Sequence, residues 1–125
     1  MRISEIMNKV FVIDKYINLK EAAKMMSDKN VGSLVVTDKE KIVGIITEKD
    51  ILKNINRLSE KVADVMSKNV VTIDKNDSIE NAAELMAENK VKRLPVVYKG
   101  ELVGIVSSTD IIAHSESLNE DFYFD

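Results

Sequence analysis

GIITEKD, residues Gly44–Asp50, has a near-copy in GIVSSTD, residues Gly104–Asp110. Each stretch runs glycine, two apolar residues, a hydroxyl, two more residues and an aspartate. Each then leads into an apolar helical pattern: Ile51, Leu52, Ile55 and Leu58 after the first, Ile111 and Ile112 after the second. Aligning 10–54 with 70–114 gives 16 identities in 45 positions, among them both Ala-Ala pairs, both glycines and both aspartates. The chain is therefore an internal duplication, with one residue inserted in the second copy near Asn69.

Working outward from the glycines, each copy shows the same order. Ile3–Met7 (ISEIM) reads as a short helical turn and is answered by Val62–Met66 (VADVM). Val10–Ile13 and Val70–Ile73 read as short strands. Asn18 is a helix N-cap with Glu21 three residues on. Behind it Leu19, Ala22, Ala23 and Met26 form one apolar face of a helix to about Lys29, ended by Asn30 and Gly32. Ile79, Ala82, Ala83 and Met86 repeat that face. Ser33–Val36 and Lys41–Ile46 are strands joined by the loop Thr37–Glu40, matched by Leu94–Val97 and Glu101–Val106 around Lys99-Gly100. Their near-continuous apolar character predicts sheets covered on both faces. The expected fold class is α/β (α+β), with two β-α-β-β-α repeats packed about a pseudo-twofold axis. The expected boundaries are residues 1–60, 61–114 and an acidic tail, 115–125, carrying Phe122, Tyr123 and Phe124. The tail reads as a frayed terminus or as an arm that docks by its aromatics.

The composition excludes several functions. The chain has no cysteine, so disulfides, zinc–thiolate sites and cysteine nucleophiles are ruled out. A net charge of −3 and the absence of tryptophan argue against a nucleic-acid surface or a base-stacking platform. No apolar run is long enough to span a membrane. Residues 1–9 already read as amphipathic, so no signal peptide is expected, and the expected location is the cytoplasm. There is no P-loop, nucleophile elbow or metal-ligand cluster. The single histidine, His114, stands where the first copy has Asn54. No catalytic or metal site is expected.

The chemistry lies at the paired stretches. Thr47 with Asp50, and Ser107 with Asp110, have the spacing of a capping box, but aspartate stands where the longer glutamate would reach back better. Both copies carry glycine on the strand before the hydroxyl, where it would leave room for a ligand beside the backbone. A hydroxyl at a helix start suits a phosphate, and a carboxylate suits the vicinal diol of a ribose. Together they suggest a phosphorylated nucleoside. Lys90, Lys92 and Arg93 precede the strand Leu94–Val97, and the planar fork of Arg93 suits phosphate oxygens. The first copy has Gly32 and Ser33 at the positions of Lys92 and Arg93, so the two sites are expected to differ.

The duplicated unit, the runs EAAKMMSDKNVGSLVV and NAAELMAENKVKRLPVV, and the doubled G-h-h-[ST]-x-x-D pattern (h apolar) resemble a tandem pair of CBS domains, a Bateman module, across residues 1–114. The resemblance implies a regulatory, non-catalytic module. Its ligands would be adenosine-containing molecules (AMP, ADP, ATP or S-adenosylmethionine) held in clefts between the two repeats. Thr47, Asp50, Ser107 and Asp110 would then hold ribose and phosphate, and Arg93 with Lys92 would meet phosphate. Val12 and Thr72, on the short strands, would line the adenine pocket, and Ile45 and Ile105 would pack on the base. Val12 in place of Thr72, and Ser33 in place of Arg93, mark the first site as the departure. The resemblance also implies a homodimer, through the stripe of Ile51, Leu52, Ile55, Leu58, Ile111, Ile112 and Leu118, and a regulated target on a separate chain. A ligand-free protein-interaction scaffold and, third, a nucleic-acid-binding protein are the alternatives.

Overall fold

Asn18 and Ser78 each hold extended backbone and turn the chain into a helix. Asn18 Oδ1 accepts from the Glu21 amide at 2.9 Å, and Ser78 Oγ from the Asn81 amide at 3.1 Å. These bonds satisfy amides that have no partner within the helix. The structure, a computed structural model, describes the backbone of residues 1–123 and the side chains of residues 1–115. Its elements are β1 (Val12–Asp14), α1 (Leu19–Lys29), β2 (Ser33–Asp38), β3 (Lys41–Thr47), α2 (Glu48–Lys53), β4 (Ile73–Asp74), α3 (Ile79–Asn89), β5 (Arg93–Tyr98), β6 (Glu101–Ser107) and α4 (Ser108–Tyr123). Short 3-10 turns at Ile3–Glu5 and Val62–Asp64 lead the two copies. The fold is α+β, with one three-stranded sheet per copy.

In the first sheet β2 is central, parallel to β1 (Val12 opposite Val35) and antiparallel to β3 (Ser33 opposite Thr47, Val35 opposite Ile45). The second sheet repeats this: Ile73 is opposite Val96, Arg93 opposite Ser107, and Pro95 opposite Ile105. A register shift follows Val36 in one copy and Val96 in the other. Leu34, Val35 and Val36 are all 0% exposed, so both faces of β2 are covered. The four-residue loop expected at Thr37–Glu40 tightens to the two-residue turn Lys39-Glu40, with φ of 50° and 69°.

The short first strands start later than their apolar runs suggest, at Val12 and at Ile73, so Thr72 precedes β4. Pro95 explains part of the difference between copies. Val35 donates its amide to the Phe11 carbonyl at 3.0 Å. Pro95, at the matching position, has no amide to offer Val71, and β4 is one residue shorter than β1.

Contacts divide the chain into two compact units, residues 10–70 and residues 1–9 with 71–125. These are not the sequence repeats 1–60 and 61–114, because the leading turns have changed places. Val62 is 0% exposed in the core formed by Ile13, Leu19, Ala22, Met26, Leu34 and Ile46. Ile3 is 0% exposed in the core formed by Ile73, Ile79, Ala82, Leu94 and Val106. Backbone bonds seat both turns: Val62 N–H to the Ile17 carbonyl at 2.8 Å, and Ile3 N–H to the Asp77 carbonyl at 2.9 Å.

The stripe expected at an interface splits. Ile51 is 8% exposed, and Leu58 and Ile111 pack on the cores, because the helix faces they share are needed to close each unit. Leu52, Ile55 and Ile112 remain 69%, 55% and 60% exposed. α4 runs on to Tyr123, past the boundary expected at His114. The side chain of Leu118 and the aromatics Phe122, Tyr123 and Phe124 lie outside the described residues. Among the described residues no helix is long and apolar enough to cross a membrane.

Candidate functional site

Alternation along the strands sorts the singled-out residues onto one face. Leu34, Val36 and Ile46 point to the helices and enter the core of residues 10–70. Ser33, Val35, Ile45 and Thr47 are therefore on the opposite face, where the register also sets Val12 beside Val35. In the other unit the same alternation puts Arg93, Pro95, Ile105 and Ser107 on one face, because Leu94, Val96 and Val106 enter the core. Val12 is 44% exposed. Thr72 is also exposed, Ile105 is half-buried, and Ile45 is buried.

At the ends of β3 and β6 the hydroxyls and carboxylates join. Asp50 Oδ2 accepts from Thr47 N–H at 2.9 Å and from Thr47 Oγ1 at 3.1 Å, while Thr47 Oγ1 accepts from Asp50 N–H at 3.4 Å. Asp110 Oδ2 accepts from Ser107 N–H and Ser107 Oγ, both at 2.8 Å, and Ser107 Oγ accepts from Asp110 N–H at 3.2 Å. Aspartate thus closes the capping box despite its shorter side chain, and these bonds use Oδ2 alone. In this state each hydroxyl already donates its single proton to its own carboxylate.

The glycines serve a different purpose from the one expected. A Cβ on Gly104 would stand 2.7 Å from Met7 Sδ and 3.0 Å from the Asn8 carbonyl. On Gly44 it would collide with Met66 Sδ and lie 2.9 Å from the Ser67 carbonyl. The space beside each glycine is filled by the chain's own leading segment. Asn8 and Ile105 exchange backbone bonds of 2.8 and 3.0 Å, and Ser67 and Ile45 exchange two of 3.0 Å.

Arg93 is half-buried and directly opposite Ser107, a separation that brings side chains on one face into reach. It makes no ion pair among the described residues. Lys92 is exposed, and its carbonyl accepts from Ser108 N–H at 2.9 Å. In the first copy the matching cross-strand pair is Ser33 with Thr47, two hydroxyls and no cation. The structure therefore brings Arg93, Ser107 and Asp110 together, and Ser33, Thr47 and Asp50 together.

One residue escaped the sequence reading. Asn8 Nδ2 donates to Asp110 Oδ2 at 2.8 Å. A signal existed, since aligning ISEIM with VADVM sets Asn8 against Ser67. His114 Nδ1 lies 2.9 Å from the Asp110 carbonyl, as Asn54 Nδ2 lies 2.8 Å from that of Asp50. A carbonyl only accepts, so in the tautomer with its proton on Nδ1 His114 makes the same local bond as Asn54. Elsewhere, the hydrogen bond from Lys15 to Asp38, 2.9 Å, raises the pKa of that lysine.

An open depression of about 480 Å³ lies on the α1–α2 side of residues 10–70, bordered by Ala23, Met26, Asn30, Ile51 and Leu52. None of the singled-out ligand residues lines it.

The CBS domain family model matches residues 3–57 and 62–117. The chain belongs to the CBS-domain family, as a tandem pair. An uncharacterized protein of Methanocaldococcus jannaschii is 38% identical over 104 residues, 82% of this chain and 35% of that protein. The inosine-5′-monophosphate dehydrogenase of Thermoplasma acidophilum is 31% identical over 112 residues, 89% of this chain and 23% of the enzyme. The chain thus spans about a third of the first relative and less than a quarter of the second. Among solved structures, the CBS domain pair of protein MJ0100, in complex with 5′-methylthioadenosine and S-adenosyl-L-methionine, superposes with a TM-score of 0.84 at 29% identity. That likeness covers 94% of this chain and 98% of the other.

Proposed function

We propose that the chain is a regulatory, non-catalytic module that binds an adenosine-containing ligand: AMP, ADP, ATP or S-adenosylmethionine. The observation that carries this reading is the register of β5 and β6. It sets Arg93, which makes no ion pair among the described residues, across from Ser107, whose hydroxyl is joined to Asp110. The cation answers a phosphate, and the carboxylate keeps Oδ1 for a ribose hydroxyl. Ile105, on the same face, offers an apolar surface to the base. The complex of the MJ0100 pair with two adenosine compounds supports the ligand class. Thr47, Asp50 and Ser33, with Val12 and Ile45, form the second and weaker site, because no cation stands opposite Thr47.

Calorimetric titration with AMP, ADP, ATP and S-adenosylmethionine tests the reading. Binding in the micromolar range is expected. Arg93→Ala should weaken the phosphorylated ligands about tenfold or more, the worth of one charge-assisted bond, with little effect on S-adenosylmethionine. Absence of heat from every ligand would leave an interaction scaffold as the better account.

The chain further acts as a homodimer in this proposal. Leu52, Ile55 and Ile112 are large apolar side chains left in water, and covering them favours association. A monomer by light scattering at high concentration would contradict the dimer. The regulated target is assigned to a separate protein.

A further inference from the structure

Asp110 Oδ2 is bonded to three donors, Ser107 N–H, Ser107 Oγ and Asn8 Nδ2, each at 2.8 Å. A carboxylate oxygen has about two lone-pair directions. One of the three donors is therefore surplus: Ser107 N–H is fixed by the backbone, Asn8 Nδ2 leaves only by turning its whole side chain, and the Ser107 hydroxyl needs no more than rotation about its C–O bond. If it swings away, Ser107 N–H and Asn8 still fill Oδ2. Asp50 has no such reserve. Among the described residues its Oδ2 takes Thr47 N–H and Thr47 Oγ1 alone, so turning that hydroxyl leaves the oxygen with a single donor. Ser67 stands where Asn8 stands, on the matching backbone bridge, and its side chain makes no such bond to Asp50.

We infer that Asn8 is a positioning residue: by holding Asp110 Oδ2, it releases the Ser107 hydroxyl to donate to the 5′-phosphate of a bound nucleotide. The inference rests on the nucleotide-binding reading above and adds a residue outside the strand-end motif. The proton simply changes acceptor, from carboxylate to phosphate oxygen, and no covalent bond is made or broken. Arg93, across from Ser107, supplies the neutralising charge on the same side. The phosphate preference of this site is thereby tied to the seating of the chain's first nine residues, because the backbone of Asn8 is bridged to Ile105.

The test is Asn8→Ser, which imports the first copy's residue and keeps the backbone bridge. AMP and adenosine are the probes, titrated calorimetrically into the whole chain in an Asp50→Ala background. AMP should weaken about tenfold, the worth of one hydrogen bond to a charged group, while adenosine changes less than about twofold. In a Ser107→Ala background, Asn8→Ser should have no further effect on AMP, because no hydroxyl remains to be released. Ser67→Asn, made with Asp110→Ala, should strengthen AMP at the first site. Ligand-free nuclear magnetic resonance supplies an independent reading: one Asn8 side-chain amide proton should be slowed in exchange, and Asp110→Ala should abolish the protection. Equal loss of AMP and adenosine in Asn8→Ser would overturn the inference and leave the nucleotide reading standing. So would persistence of the loss without Ser107, an unprotected Asn8 amide, or binding of S-adenosylmethionine with none of AMP. Failure of every adenosine compound to bind would remove the nucleotide reading and this inference with it.

Discussion

Gly104 and Gly44 let two chain segments touch. Met7 and Asn8 lie against one, Met66 and Ser67 against the other. A methyl at Gly44 must displace the Ser67 backbone, 2.9 Å away, as well as the Met66 side chain. At Gly104 the tightest contact is the Met7 thioether, which can swing aside, and the Asn8 carbonyl is at 3.0 Å. Gly44→Ala should therefore cost about 2 kcal/mol, and Gly104→Ala about 1 kcal/mol, by the usual cost of overpacking. Urea denaturation would read both, and a neutral Gly44→Ala would contradict the packing account. At this scale the sequence was half legible. The hydroxyl–carboxylate pairs and Arg93 stood out by repetition and by charge. The purpose of the glycines did not, because the residues that fill their space come from turns some 20 to 100 positions away in the chain.

At the scale of elements, the two hairpins are a matched experiment. Both turns place two residues at positive φ, Lys39-Glu40 at 50° and 69° and Lys99-Gly100 at 50° and 81°. Only glycine adopts that region without a side-chain penalty. Glu40→Gly should stabilise the protein by about 1 kcal/mol, seen as a rise of a few degrees in Tm by calorimetry. An unchanged or lowered Tm would contradict the strain assigned to Glu40. The hairpins, the two capped helices and the order of elements were readable from period, caps and turn residues. The exact strand starts were not. They depend on partner amides across the sheet, such as the one Val35 has and Pro95 lacks.

For the whole molecule, the exchange of leading turns has the largest consequence. Ile3 is fully buried in the core of residues 71 onward, and Val62 in that of residues 10–70. Truncating Ile3 to alanine should cost about 2–5 kcal/mol, as a buried branched side chain does. Hydrogen exchange should locate the loss in α3, whose neighbour it is, and spare α1. Faster exchange confined to α1 would contradict the assignment of the turn to the second core. A duplication read along the chain invites a cut near residue 60, and nothing local in ISEIM or VADVM says which core each will enter. The fold class was legible because it repeats; the pairing of segments was not, because it is a long-range choice.

In the proposed function the strand-end carboxylates hold an adenosine ligand, and the Asp110 site, backed by Arg93, is the stronger. Titration calorimetry on the wild type, Asp50→Ala and Asp110→Ala with AMP, ATP and S-adenosylmethionine tests it most directly. Micromolar binding is expected, abolished by Asp110→Ala and left nearly intact by Asp50→Ala. Equal effects of the two substitutions, or no binding by the wild type, would contradict it.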